Sequence, residues 1–583
     1  MGAAAGPVPK DAPKPASPKA KPKLGLRAWM HRVLEECDRA AKGFEADPVH
    51  DLRVALRRCR SLADGLMAID PDPAWKDMKK AGKKLFQALG DLRDMQVVEE
   101  WIAKLSVAPT LAQRVRKDGA SAAGDAASRV STGNRSDRGL GGSASGDSAS
   151  GDSASDEAAA ADPVAVTLLD HVRGREAECK QSASKALQQF DRKQWRQWSR
   201  TLPHRASRVR PGSVVYQHLA LEKWTAAHEL HQRALRTRSQ FAWHQLRIGI
   251  KRFRYTVENF LPRQHALWGS DLKELQDLLG EVHDLDVLWA LAVEIGAFPD
   301  AESRSRWREK LNLERDPRIA RYREKMVGRE SLWRVWRAEL PSGERLRRAA
   351  MSRLRVWAGF QDPDFSHSRR VARLAILLYD GLKNAGLVTA STAPADLGAN
   401  PRAVLRAAAF MHDAGKAKGT ENYQKQTYRM IRGLARPMGW SARELELAAV
   451  VARYHRGTLP RPRGKAMQLL ELPDRPIAME LAGILRLANA LSHHPDDDQG
   501  HRRAGSSIKS ASAKESPPRI EVSLNERCVL LRVEGYSALD RSAEGVAAAR
   551  HLLETVLRRP VLVRALASRS EKPRAKSQQP TAQ

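Results

Sequence analysis

An eleven-residue pattern occurs twice in this chain. HDLRVALRRCR, His50 to Arg60, returns as HQLRIGIKRFR, His244 to Arg254, at an offset of 194. The histidine coincides, as do the arginine three residues on, the basic residue seven on, and the arginines eight and ten on. A second element repeats behind each copy. KKLFQALGDLRD, Lys83 to Asp94, matches KELQDLLGEVHD, Lys273 to Asp284, at an offset of 190. Two ordered matches at nearly one offset indicate an internal duplication. A fold for this chain must therefore accommodate two like units, each carrying the same basic element.

The spacing is helical. At about 100° per residue, His50, Arg53, Arg57 and Arg60 share an arc of roughly 80°, and Leu52, Leu56 and Cys59 fall opposite. In the second copy His244, Arg247, Lys251 and Arg254 oppose Leu246, Ile250 and Phe253. One side can pack while the other presents a line of cations. Two such helices, packed as pseudo-symmetric partners, would face one another across a basic groove. Guanidinium forks fit phosphate oxygens bidentately, so a row of them suits repeated phosphates. A solvated amphipathic face is the plain alternative for one copy. The same register in two copies, with few acids inside the motif, favours an anionic ligand. Asp94 and Asp284 are placed to anchor an arginine, to orient a histidine or to cap a helix.

The whole chain is basic: 100 Lys and Arg oppose 68 Asp and Glu, a formal charge of +32. Such an excess repels itself and favours a polyanionic partner. Nucleic acid, polyphosphate and anionic lipid all qualify by charge. Reading nucleobases usually needs aromatic platforms or a groove-reading helix. Here Phe253 falls on the apolar face, which disfavours nucleic acid against a bare phosphate chain. Cys37, Cys59, Cys179 and Cys528 form no CxxC pair, in keeping with a reducing compartment. No apolar run approaches the roughly 18 residues of a membrane span. The N-terminal stretch lacks a signal peptide's apolar core, and Gly6 breaks the myristoylation pattern. A cytoplasmic protein without membrane insertion is expected.

Composition divides the chain. Residues 1–23, rich in Pro, Ala and Lys, are expected to be a disordered basic tail, and 568–583 a second disordered tail. Residues 119–162 carry SASGD twice in tandem and read as a disordered insertion within the duplicated unit. Strand signals come late. Ile520, Val522 and Leu524, then Val529, Leu531 and Val533, alternate about a short turn and predict a hairpin. A helix over about Ala543 to Arg558 and a short apolar run, Val561 to Val563, follow.

The second half holds different chemistry. His367 lies in SHSRRVARLAILLYDGL, and the pair His412-Asp413 in LRAAAFMHDAGKAKG. A lone histidine, a His-Asp pair and a later acid are the ingredients of a phosphohydrolase metal site. Arg453, His455 and Arg456 read either as another anion site or as a helix end with cations near its negative dipole.

Two resemblances follow from these motifs. H-x-L-R-[VI]-x-x-[RK]-R-x-R, followed by K-x-L-x-x-x-L-G-x-x-x-D and duplicated, resembles the CHAD domain, the conserved histidine α-helical domain. The resemblance covers 24–341 and includes the closing LWRVWRAELP, residues 332–341. It implies a mainly α fold of two antiparallel four-helix halves around a basic cavity that binds inorganic polyphosphate. The binding residues it implies are His50, Arg53, Arg57, Arg58 and Arg60 with His244, Arg247, Lys251, Arg252 and Arg254. Lys83 and Lys273 would add to the groove.

MHDAGK, RYHRG and LRLANAL, within residues 343–566, resemble the C-terminal HD-like domain of the exopolyphosphatase/guanosine pentaphosphate phosphatase (Ppx/GppA) family. That implies an α-helical domain with a small hairpin-containing end, and a divalent ion, Mg or Mn, at His367, His412 and Asp413. The chain departs from the pattern in two places. Asn489 stands where HD enzymes place their last metal-binding aspartate, and Tyr423 and Gln424 stand where relatives often carry histidine. In exopolyphosphatases this domain is mostly an accessory to an actin-like catalytic domain, whose glycine-rich phosphate loops have no counterpart here. The expectation is a cytoplasmic bacterial polyphosphate-binding protein, associated with polyphosphate granules, whose HD domain is degenerate and accessory. The alternative is a metal-dependent phosphohydrolase acting on polyphosphate or a phosphorylated nucleotide.

Overall fold

The computed structural model describes residues 25–107, 162–388, 400–492, 519–539 and 542–566. The expected tails, 1–23 and 568–583, and nearly all of the insertion 119–162 lie outside the described residues. Asp162 corrects that last boundary. Its carboxylate accepts the backbone N–H of Val164 at 3.1 Å and the Trp307 indole N–H at 2.9 Å, so it caps a helix rather than ending a linker.

The duplicated half is all helical. The first copy contributes α1 (Leu26–Ala40), α2 (Ala46–Leu66), α3 (Pro73–Ala81), α4 (Lys83–Val107), α5 (Pro163–Gln188) and α6 (Arg192–Ala206). The second contributes α7 (Val214–Thr237), α8 (Gln240–Phe260), α9 (Pro262–Glu294), α10 (Ala301–Met326) and α11 (Leu332–Glu339). In the first copy α1 packs on α2 and α4 on α5; in the second α7, α8, α9 and α10 pack in succession. The repeated elements bring the copies together, α2 against α8 and α4 against α9.

The helix faces follow the sequence pattern. Leu52, Leu56 and Cys59 of α2 are fully buried, as are Leu246, Ile250 and Phe253 of α8. Near the C-terminal ends of α2 and α8 the approach is close. A Cβ on Gly65 would lie 2.2 Å from the Phe260 ring, which itself stacks on Tyr216 at 4.3 Å between centroids. A buried carboxylate ties the end of α2 to α6. Asp70 accepts the Trp75 indole N–H at 2.8 Å and two Arg205 donors at 2.6 and 2.8 Å.

The second half begins with α12 (Gly343–Gln361), which rests on α7. Buried Arg353 of α12 donates to Glu222 at 2.5 Å and to the carbonyl of Ala68 at 3.3 Å, so both copies of the first half grip it. Then come α13 (Phe365–Asn384), α14 (Pro401–Met411), a 3₁₀ turn (Ala414–Lys418), α15 (Tyr423–Arg432), α16 (Ala442–Arg453), α17 (Lys465–Gln468) and α18 (Asp474–Leu491). The expected hairpin forms. β1 (Ile520–Leu524) pairs antiparallel with β2 (Val529–Glu534), Ile520 opposite Val533. The apolar run after α19 (Ser542–Leu557) becomes a third strand, β3 (Val561–Leu566), parallel to β2. The helix between them makes that possible, since parallel neighbours need a crossover. The fold is mainly α with one small sheet.

Candidate functional site

A cavity of about 320 Å³ lies where α2, α4, α8 and α9 converge. His50, Arg53 and Arg57 enter it from α2, and Arg247 and Lys251 from α8. Arg53 and Arg247 are equivalent positions of the duplication, as are Arg57 and Lys251. The two helices thus present matched pairs of cations to one space. α4 and α9 supply Arg93 together with Asp94, Asp277, Glu281 and Asp284.

The acids do not cancel the cations. Asp277 is paired with Lys273 at 2.7 Å and Glu281 with Arg318 at 2.5 Å, both partners standing outside the cavity lining. Asp94 lies 3.6 Å from Arg53. Burial pushes the Asp284 carboxyl up to about 6, so part of it is neutral near pH 6. An excess of positive charge remains in a partly closed space.

A second cavity, about 380 Å³, opens in the other half. His367 and Asp413 line it and the buried His412 stands beside them, the ligand atoms of the three within 4.8 Å of one another. His455 joins them, its Nε2 3.7 Å from Asp413. Each of His412 and His455 donates through Nδ1 to a backbone carbonyl, Ala409 at 2.8 Å and Ala452 at 2.7 Å. Each therefore turns its Nε2 inward. Lys416 lies 2.5 Å from Asp413. Burial alone would raise the Asp413 carboxyl; the neighbouring His412, His455 and Lys416 outweigh it and hold the group well below the usual carboxylate range.

The family model for the CHAD domain matches residues 25–293, the span that contains both copies of the repeat and all the helices of the first cavity. This region is a CHAD domain. The model for domain III of the Ppx/GppA phosphatases matches residues 354–534. Among solved structures, the CHAD domain from the plant Ricinus communis is similar at 18% identity, covering 54% of this chain and 88% of its own, with a TM-score of 0.29. Comparison with curated proteins gives no match.

Within the CHAD domain the twelve basic residues expected at the groove divide. His50, Arg53, Arg57, Arg247 and Lys251 line it. Arg58 turns away to Glu258 at 2.6 Å and stacks on Trp29. Arg60 sits about 15 Å farther along the axis than His50, donating to the Lys79 carbonyl at 2.7 Å and covering Phe86. Arg254 and the exposed Arg252 lie outside the lining, as do the exposed Lys83 and Lys273. His244 instead meets His283, Nδ1 to Nδ1 at 3.2 Å. Arg93 was not among the expected residues. It stands in copy one where His283 stands in copy two, so the repeat alignment carried the signal. The repeated glycines carried another: a Cβ on Gly90 would lie 3.4 Å from the Arg53 guanidinium, and Gly280 lines the cavity.

Lys251 is the titrating cation of the CHAD groove. Burial, reinforced by Arg247, Arg57 and Arg53, brings its ammonium down to about 8. It therefore loses charge as pH rises through 8, and with it attraction for an anion. Polyanion affinity measured calorimetrically is expected to fall about fivefold from pH 7 to 9 beyond the change at the other sites. Lys251→Arg should remove that step, because a guanidinium stays charged.

In the domain III region the three expected metal residues do converge, and such a cluster can hold a metal. Its hydrogen bonds, however, compete with a hard divalent ion such as Mg²⁺. The His367 Nε2 is taken by the Asn489 amide oxygen at 2.9 Å, and its Nδ1 lies 3.3 Å from the Ser492 hydroxyl. The His455 Nε2 accepts from the Tyr423 hydroxyl at 3.2 Å, and Arg456 donates to that hydroxyl at 3.1 Å. That leaves His412 and an Asp413 already paired with Lys416, one imidazole and one neutralised carboxylate. Hard divalent ions need several oxygen donors with negative charge. Of the triplet Arg453, His455 and Arg456, Arg453 closes α16 as a basic last-turn residue, whereas His455 is buried beside Asp413 in the same pocket as Arg456.

Proposed function

We propose that the protein binds inorganic polyphosphate in the CHAD groove, with the domain III region in an accessory role. The observation that carries this reading is the matched pair, Arg53 with Arg57 against Arg247 with Lys251, facing one cavity whose acids are partly neutralised from outside. A phosphate chain repeats its charge at short, regular spacing, and two rows of fixed cations match it without reading any base. Nucleic acid is disfavoured by the aromatics nearby. Phe253 is fully buried, Phe86 is covered by Arg53 and Arg60, and Tyr255 lies beneath Arg57. None of them offers a stacking platform in the cavity. Both families are linked to polyphosphate, and no helix among the described residues is long and apolar enough to cross a membrane. On this reading the protein works in the cytoplasm, at polyphosphate granules.

Titration of the purified chain with long-chain polyphosphate, in competition with duplex DNA at equal phosphate concentration, tests the proposal. Polyphosphate should win by about tenfold or more at 0.15 M salt, where loose phosphate contacts are screened. Equal competition by DNA would overturn it.

A further inference from the structure

The misfit of the domain III pocket to a hard divalent ion has a positive side. Its lining holds Lys416, Arg456 and Arg486, and Asp413 is the one carboxylate there among the described residues. Lys416 spends one of its three donors on Asp413, and Arg456 spends one Nη on Tyr423. Arg486 anchors both terminal nitrogens on the carbonyls of Tyr454 and Gly457, at 3.0 Å each, which fixes the guanidinium in place. Its Nε and the fully buried His412 Nε2 have no hydrogen-bond partner among the described residues. Gly545, Ala548 and Ala549 of α19 also line the pocket, and their small size leaves room in it.

We propose that this pocket takes a phosphate group directly, as a tetrahedral oxyanion held by Lys416, Arg456 and Arg486, and that Asn489 and Tyr423 are the residues that keep it free of metal. Each engages the inward nitrogen of one histidine, Asn489 on His367 and Tyr423 on His455, at the place where a ligand bond would form. Three cations against one carboxylate attract an anion and repel a dication. The phosphate class rests on the polyphosphate reading, whereas the metal-free character rests on these hydrogen bonds alone. The protein would then hold phosphate in both halves, along a groove in one and as a single group in the other.

The test uses the full chain carrying Arg53→Glu and Arg247→Glu, which silences the groove, with far-ultraviolet circular dichroism to confirm the fold. Pyrophosphate titrated by calorimetry in excess chelator should still bind at one site. Affinity should drop at least about tenfold with Lys416→Met or Arg456→Ala. Absence of binding in chelator, or binding indifferent to both substitutions, would overturn the proposal whatever the groove does. The second arm uses Mn²⁺ alone, read by electron paramagnetic resonance. The natural chain should bind no stoichiometric Mn²⁺, and Asn489→Asp with Tyr423→His should gain one site. One tight Mn²⁺ in the natural chain, lost in Asp413→Asn, contradicts the inference. Failure of the groove reading shows separately, as polyphosphate affinity unchanged by the Arg53 and Arg247 reversals.

Discussion

Reversing Arg53 and Arg247 together to glutamate lowers polyphosphate affinity by about 100-fold or more, equivalent to about 3 kcal/mol. The size follows from position. Each guanidinium is half-buried, and each faces the same cavity from its own copy of the repeat. Charge-assisted bonds from such groups to phosphate contribute about 1.5–3 kcal/mol apiece. Reversal removes two of them and adds two carboxylates beside Asp94 and Asp284. Arg252→Glu is the matched control. It lies in the same motif but is exposed and outside the lining, so its reversal should change affinity less than about threefold. Calorimetric titration of both variants separates a built groove from general basicity. Comparable losses in the two would favour the bland explanation, a diffuse positive surface.

Gly65→Val is expected to cost about 3 kcal/mol of folding stability, toward the upper end for overpacking a close contact. The added Cβ alone would stand 2.2 Å from the Phe260 ring. That ring cannot simply yield, because it is stacked on Tyr216 and only 4% exposed. The strain falls where α2 and α8 meet, so the two rows of cations should also lose their alignment. Urea unfolding measures the cost, and Phe260→Leu provides the second leg of a double-mutant cycle. Gly65→Val should be clearly less harmful in the Phe260→Leu background. Identical costs in both backgrounds would show that the ring is not what the valine meets.

Much of this architecture was legible because helix periodicity is local. Leu52, Leu56, Cys59 and their counterparts in α8 could be assigned to the core from spacing alone, and the hairpin from its alternation. The partition of the cations was not legible, because it depends on partners far away in sequence. Arg58 leaves the groove for Glu258, and Glu281 is neutralised by Arg318. Arg60 shares the helical arc of Arg53 but is carried past the cavity by the rise of the helix. The third strand needed α19 to return the chain, which no short apolar run reveals. In the domain III region the departures at Asn489 and Tyr423 were visible as residue types. Only the fold shows that each rests on a histidine of the cluster, 122 residues away from Asn489 and 32 from Tyr423. The partner of His455 was hidden for the same reason: its neighbours in sequence are arginines, but its neighbour in space is Asp413.

The central claim is that a phosphate chain lies between the two copies of the repeat. A crystal structure of the full chain with bound polyphosphate tests it most directly. The account predicts successive phosphates within hydrogen-bond distance of Arg53 and Arg57 on one side and of Arg247 and Lys251 on the other. Phosphates bound instead along Arg58, Arg60 and Arg252, with the cavity between α2 and α8 holding none, would contradict it.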